Sequence, residues 1–198
     1  MFFVFEGADG VGKTTQSELL AEHIEKRYGL QVLRVREPGG TPLGERVRDL
    51  LLDPESGELG SATEMFLFMA ARSHLVEKVI GPSIEGGKVV LCDRYLWSSV
   101  VYQGIVGGLG VQEVLRVGRL AAPLQPTRTF VIDVPTPVAG RRLGGTDRME
   151  RRGSEFQEKV RRAFLLLARK YPRNVVVIDG RGSVRDVQIG RASCRERV

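Results

Sequence analysis

The chain has 198 residues, within the usual size of one domain and long enough to bury a substantial core. It is 42% hydrophobic and 27% charged, the balance expected of a soluble globular protein, and no apolar run reaches the ~18 residues that would suggest a membrane span. The formal charge is +6, but Arg141, Arg142, Arg148, Arg151 and Arg152 crowd one segment, which favours a small polyanion over a nucleic-acid track.

The N-terminal "MFFVFEG" lacks a basic leader and runs into a glycine loop, so Phe2–Phe5 is predicted as a core strand and not a signal peptide. The loop "GADGVGKTT" comprises Gly7, Ala8, Asp9, Gly10, Val11, Gly12, Lys13, Thr14 and Thr15. It meets the pattern G-x-x-x-x-G-K-[ST] between a predicted strand and a predicted helix, which is the context that motif requires. Glycines let backbone N–H groups converge on phosphate oxygens, and the helix N-terminus adds positive potential. Lys13 can reach the β- and γ-phosphates of ATP, and the Thr14 hydroxyl can ligate Mg²⁺. The loop specifies nucleoside triphosphate binding. It leaves hydrolysis, switching and phosphoryl transfer open.

Leu20, Ile24 and Tyr28 step by four and predict a helix after the loop. Apolar, β-branched runs at Gln31–Val35, Val89–Cys92, Thr129–Val134 and Val175–Ile178 predict four further strands. "SATE" at Ser61 matches a capping box and opens a helix predicted to reach Ile80. Phe156, Val160, Phe164 and Leu167 mark another helix. Strands alternating with helices predict an α/β fold of the P-loop kind, a five-stranded parallel sheet with helices on both faces. Asp93, ending a strand at the ligand-binding edge of such a sheet, is a candidate to organise Mg²⁺. "RRLGGTDRMERRG" is basic and glycine-bearing and reads as a surface loop. Residues 1–187 are predicted as one domain; 188–198 lack apolar periodicity and are set aside as a non-native scar. Cys92 and Cys194 make no disulfide framework, which points to the cytoplasm, and His23 and His74 have no metal-ligand spacing.

Four further segments, "REPGGT" (Arg36–Thr41), "FLFMAAR" (Phe66–Arg72), "DRYLWSSVVYQG" (Asp93–Gly104) and "DRMERRG" (Asp147–Gly153), join the glycine loop in a pattern that resembles bacterial thymidylate kinases over roughly residues 1–187. The resemblance implies transfer of the γ-phosphoryl group of ATP to dTMP with Mg²⁺, a homodimer, and no nucleic-acid or membrane partner. It implies that Phe68 stacks on thymine, that Arg72 hydrogen-bonds the base, and that Ser99 lies near the base methyl. Phe68 and Arg72 stand four apart, hence on one helix face. By the same resemblance Arg94 and Arg48 hold the acceptor phosphate, and Asp9 serves the sugar 3′-hydroxyl and the metal. Glu37-Pro38 forms a turn over the acceptor, with Pro38 in the cis form. Tyr102 and Gln103 flank the sugar, with Tyr102 crowding the 2′ position, and Asp147 and Glu150 lie near that pocket.

Gly10 and Val11 stand where some thymidylate kinases carry a catalytic basic residue. The cation is therefore expected from a short basic lid at about 139–153, with Arg141 and Arg142 as the candidates. Two rival functions are a P-loop kinase of another monophosphate or small metabolite, and a DNA-dependent P-loop ATPase. A GTPase-like switch would need an N-K-x-D motif, which the sequence lacks.

Overall fold

A computed structural model describes residues 1–142, 148, 152–184 and 187. Asp147 and Glu150 lie outside the described residues, as does the tail from 188 onward.

The five apolar runs form five strands: β1 (Phe2–Glu6), β2 (Val32–Arg36), β3 (Val89–Asp93), β4 (Arg128–Asp133) and β5 (Val175–Asp179). They pair in parallel in the order β2-β3-β1-β4-β5. Parallel strands covered on both faces need side chains that suit burial on both sides. The inner strands meet this condition: Val89, Val90, Leu91 and Cys92 of β3 are all buried, as are Phe2, Val4 and Phe5 of β1.

The helices are α1 (Lys13–Tyr28), α2 (Pro42–Leu52), α3 (Ser61–Leu75), α4 (Gly81–Glu85), α5 (Leu96–Ser99), α6 (Val111–Ala121), α7 (Thr136–Gly140) and α8 (Gly153–Lys170). Leu20 and Ile24 of α1 and Val160, Phe164 and Leu167 of α8 are buried as the periodicity predicts. Tyr28, the last residue of α1, is exposed, and the C-cap Gly29 follows it in a left-handed conformation. The long helix predicted from Ser61 continues beyond Leu75 through a π-helical turn (Val76–Ile80) into α4. The capping box at its start does not form. Gly60 occupies the cap position without a side-chain bond, Ser61 is already helical, and Glu64 turns inward.

The fold places the β1–α1 turn, the β3–α5 turn and the β4–α7 turn at the carboxyl edge of the sheet, where open α/β folds bind ligands.

Candidate active site

The glycine loop joins β1 to α1. Gly7 (φ +136°) could not be another residue, since a Cβ there would lie 2.6 Å from the Ile132 carbonyl oxygen of β4. Gly12, at φ +94°, delivers the chain into α1, so the first helical N–H groups face the loop. Lys13 is buried and folds back along the loop. Its ammonium donates to the carbonyls of Ala8 at 2.7 Å and Gly7 at 3.3 Å. Burial, then the nearby Arg94 guanidinium, push its pKa down to about 8 against the pull of Asp93 and Asp9.

Parallel pairing sets Phe5 of β1 beside Asp93 of β3, which brings the Asp93 carboxylate to the start of α1. The Thr14 hydroxyl donates to Asp93 Oδ2 at 2.7 Å. A hydroxyl and a carboxylate side by side at the phosphate loop are the hard oxygen donors Mg²⁺ takes, so these residues fit that ion. Asp9, also expected at the metal, makes its hydrogen bonds to other partners. Its Oδ1 accepts from Arg94 Nη2 at 2.5 Å, and its Oδ2 accepts from the Tyr102 hydroxyl and Gln157 Nε2, each at 3.1 Å. Burial alone would raise its carboxyl, but Arg94 and Lys13 pull it down to about 2.

Arg94 is the hub between the two halves of the site. Its backbone sits in the left-handed region at φ 70°, a conformation that costs a non-glycine residue about 1–3 kcal/mol and persists where surrounding contacts fix it. Those contacts are visible: Nη1 donates to the Gly7 carbonyl at 3.0 Å and Ser98 Oγ at 3.2 Å, and the guanidinium lies 5.4 Å from the centre of the Tyr102 ring. Behind it, the fully buried Glu6 accepts from the N–H groups of Tyr95 and Ser98 and from the Ser98 hydroxyl, fixing the β3–α5 turn. Burial raises the Glu6 pKa, opposed by these hydrogen bonds and by Arg94.

One cleft gathers every acceptor residue expected from the sequence that falls among the described residues. Asp9, Glu37, Pro38 and Arg48 line one part of it, and Phe68 and Arg72 line another. Arg94, Ser99, Tyr102 and Gln103 complete it, with Leu52 and Ser98. The Glu37–Pro38 peptide is cis, as the resemblance implied, and Arg48 Nη1 donates to the Pro38 carbonyl at 3.2 Å. Phe68 is half-buried, its ring available at the cleft. Arg72 is only 1% exposed and donates to Glu37 Oε2 at 2.6 Å, to Ser99 Oγ at 3.0 Å and to the Tyr95 carbonyl at 3.0 Å. Burial pushes the Glu37 carboxyl up to about 7 against the pull of Arg72, and its buried Oε1 has no hydrogen-bond partner among the described residues.

Arg141 and Arg142 follow α7 and are exposed. A separate cavity of about 460 Å³ lies near the start of β5, between the sheet and helices α6 and α8, and contains no glycine-loop residue. It is not where the phosphate chemistry sits. Sequence reasoning missed Glu6, Ser98, Gln157 and Glu64. Three of them are polar residues at positions where the apolar pattern calls for burial: the end of "FFVFE", one turn into α3, and the inward face of α8. Ser98 lies within a segment already singled out, "DRYLWSSVVYQG", with no signal separating it from Ser99.

A phosphate loop with a hydrogen-bonded Thr–Asp pair, opening beside an arginine-lined cleft on a parallel sheet of order 2-3-1-4-5, defines a P-loop nucleotide kinase. Comparison with known proteins narrows the class. The family model described as thymidylate kinase matches residues 5–189. The thymidylate kinase of Symbiobacterium thermophilum is 44% identical over 191 residues, 95% of this chain and 89% of the relative. That of Thermoanaerobacter sp. strain X514 is 44% identical over 182 residues, 90% of this chain and 89% of the relative. The crystal structure of the Ehrlichia chaffeensis thymidylate kinase superposes with a TM-score of 0.82 at 34% identity, covering 99% of this chain and 98% of that one. The chain belongs to the thymidylate kinase family.

Proposed function

We propose that this chain transfers the γ-phosphoryl group of ATP to dTMP, giving dTDP and ADP, as a step toward dTTP. One observation carries the reading: the expected acceptor residues converge on a single cleft that shares Asp9 and Arg94 with the phosphate loop. A donor and an acceptor phosphate bound there would meet at Arg94.

Phosphoryl transfer needs alignment and positive charge more than covalent chemistry. Lys13 leaves the loop carbonyls to meet the β- and γ-phosphates, and the start of α1 adds its N–H groups. Thr14 and Asp93 would hold Mg²⁺, which supplies charge neutralisation when bound. Arg94 and Arg48 hold the acceptor phosphate, while Asp9 keeps Arg94 aimed and accepts from the sugar side. Phe68 offers its face to the thymine ring. Arg72 has five N–H hydrogens; Glu37, Ser99, Tyr95 and the Met69 sulfur take four, leaving one Nη2 hydrogen for a base carbonyl. Tyr102 and Gln103 border the sugar, with Tyr102 excluding a 2′-hydroxyl. Asp147 and Glu150 serve the same pocket. Arg141 and Arg142, exposed beyond α7, supply the cation that the glycine loop lacks, and 139–153 is the lid that carries them.

The catalytic unit is one domain, 1–187, acting as a cytoplasmic homodimer. Among the described residues no helix is long and apolar enough to cross a membrane. Helices α2 and α6 flank α3, and exposed apolar side chains on them (Leu43, Leu50, Phe66, Leu120) offer a face for a second copy. The function is tested by a coupled assay with ATP, Mg²⁺ and dTMP, dUMP, dCMP or dGMP as acceptor. The expected result is a kcat/KM highest for dTMP. Preference for another acceptor, or hydrolysis of ATP stimulated by DNA and indifferent to dTMP, would overturn it.

A further inference from the structure

Glu64 is an acid in the first turn of α3 that faces inward instead of capping its helix, and it is only 1% exposed. A buried carboxylate is retained where it is fully paired, and both its oxygens are. Oε1 accepts from Arg148 Nη2 at 2.8 Å and from Arg152 Nη2, while Oε2 accepts from Gln103 Nε2 at 3.0 Å. Glu64 does not itself line the acceptor cleft, but each of its partners leads to a residue that does. Gln103 is a cleft wall. Arg148 also grips the end of α2, its Nε donating to the Leu51 carbonyl at 2.9 Å and its backbone N–H to the Leu52 carbonyl at 3.0 Å; Leu52 is a cleft wall. The Arg152 guanidinium lies 4.9 Å from the centre of the Phe156 ring, which packs 6.0 Å from Tyr102, whose hydroxyl donates to Asp9.

We infer that Glu64 is a positioning residue for the acceptor site: one buried carboxylate ties the back of Gln103, Leu52 and Tyr102 together through Arg148 and Arg152. The inference rests on the proposed function, since it concerns the acceptor of that reaction. Removing the charge leaves two arginines facing a neutral group. Both reach partial solvent, with side chains 12% and 25% exposed, so they have somewhere to turn and the walls they hold are released. The side-chain hydrogen bonds of Lys13 and Thr14 run to the glycine loop and to Asp93 and not to this cluster, so the ATP side should not register the change.

The test is steady-state kinetics of Glu64→Gln, varying dTMP at saturating ATP and then ATP at saturating dTMP. KM for dTMP should rise about tenfold or more while KM for ATP stays within about twofold. The preference for dTMP over its ribose counterpart should narrow, because Tyr102 and Gln103 border the sugar. Glu64→Asp, which keeps the charge, should recover part of the loss. Equal rises in both KM values, a fall in kcat alone, or wild-type constants in a folded variant would overturn the inference. If Glu64→Gln does not fold, Arg152→Met decides, since it removes one outer ion pair: a raised KM for dTMP alone supports the inference and an unchanged one defeats it. Wild-type turnover with dTMP is measured first. Its absence would remove the proposed function itself, whereas an active wild type with an insensitive Glu64 removes only this inference.

Discussion

Lys13 and Glu37 are both charged groups taken out of water, and their surroundings give them opposite fates. Lys13 rests on the carbonyls of Gly7 and Ala8, with its pKa down to about 8, a poised cation that gains most when phosphate oxygens replace those carbonyls. Lys13→Ala should therefore lower kcat by at least about a hundredfold, or ~3 kcal/mol of transition-state stabilisation. Far-UV circular dichroism should stay unchanged, and near-normal kcat in a folded variant would contradict the assignment. Glu37 pairs with Arg72 through one oxygen and leaves the other buried without a partner, and its pKa is raised to about 7. A folded-state pKa above the unfolded value means that the folded protein holds the proton more tightly. The stability from that proton is present in full below the ordinary value of 4.5 and is lost as pH rises through about 7. The Tm of wild type should accordingly fall relative to that of Glu37→Gln, which cannot titrate, as pH is raised from about 5 to about 8. A difference independent of pH would show that Arg72 keeps Glu37 ionised throughout. The motif "REPGGT" marked Glu37 from the sequence. Its pairing with a residue 35 positions away, on a helix face read as contacting the base, needed the fold.

The strands were legible as elements because burial on both faces of a parallel sheet leaves a continuous apolar run bounded by polar residues, and β3 is such a run. The start of α3 was misread because "SATE" matches a local capping pattern while the actual demand on Glu64 is tertiary, set by two arginines and a glutamine far along the chain. Local pattern favoured a cap, and a buried ion-pair cluster overrode it. The segment after α7 shows the reverse situation. Arg141 and Arg142 are exposed at the end of a five-residue helix, where their charge faces solvent. Replacing both by Ala should cut kcat by roughly the 10³–10⁵ known for arginine fingers, with KM for dTMP close to normal, because a group acting on transition-state charge lowers turnover more than ground-state binding. Steady-state comparison with wild type checks this. An unchanged kcat would assign the catalytic cation to another residue.

At the scale of the whole molecule, the site's membership was more legible than its wiring. Residues near positions 9, 37, 68, 94 and 102 were expected together, and the parallel order brings their elements to one sheet edge. The buried polar residues that hold them (Glu6 under the β3–α5 turn, Gln157 on Asp9, Glu64 behind Gln103) could not be read in advance, because single buried polar residues in apolar patterns do not announce their partners. The same limit applied to association. The stretch from Phe66 to Leu75 is largely apolar, but Met69, Ala71, Arg72 and Leu75 are spent inside the chain. Phe66 remains 60% exposed, and Leu120, on the adjacent α6, is 86% exposed. Large apolar groups left in solvent on packed neighbouring helices are what a second copy would cover. If they lie at the centre of a two-fold interface, each occurs twice, and a charge at both should be intolerable there while costing little in a monomer's exposed surface. Phe66→Glu with Leu120→Glu should therefore convert a species of about twice 21.9 kDa into one of 21.9 kDa by sedimentation equilibrium, with the fold retained. Phe68 and Arg72 lie on the same helix as Phe66, so the monomer should also bind dTMP more weakly than it binds ATP relative to wild type. A wild-type monomer would refute the homodimer, and a dimeric double variant would move the interface away from α3 and α6.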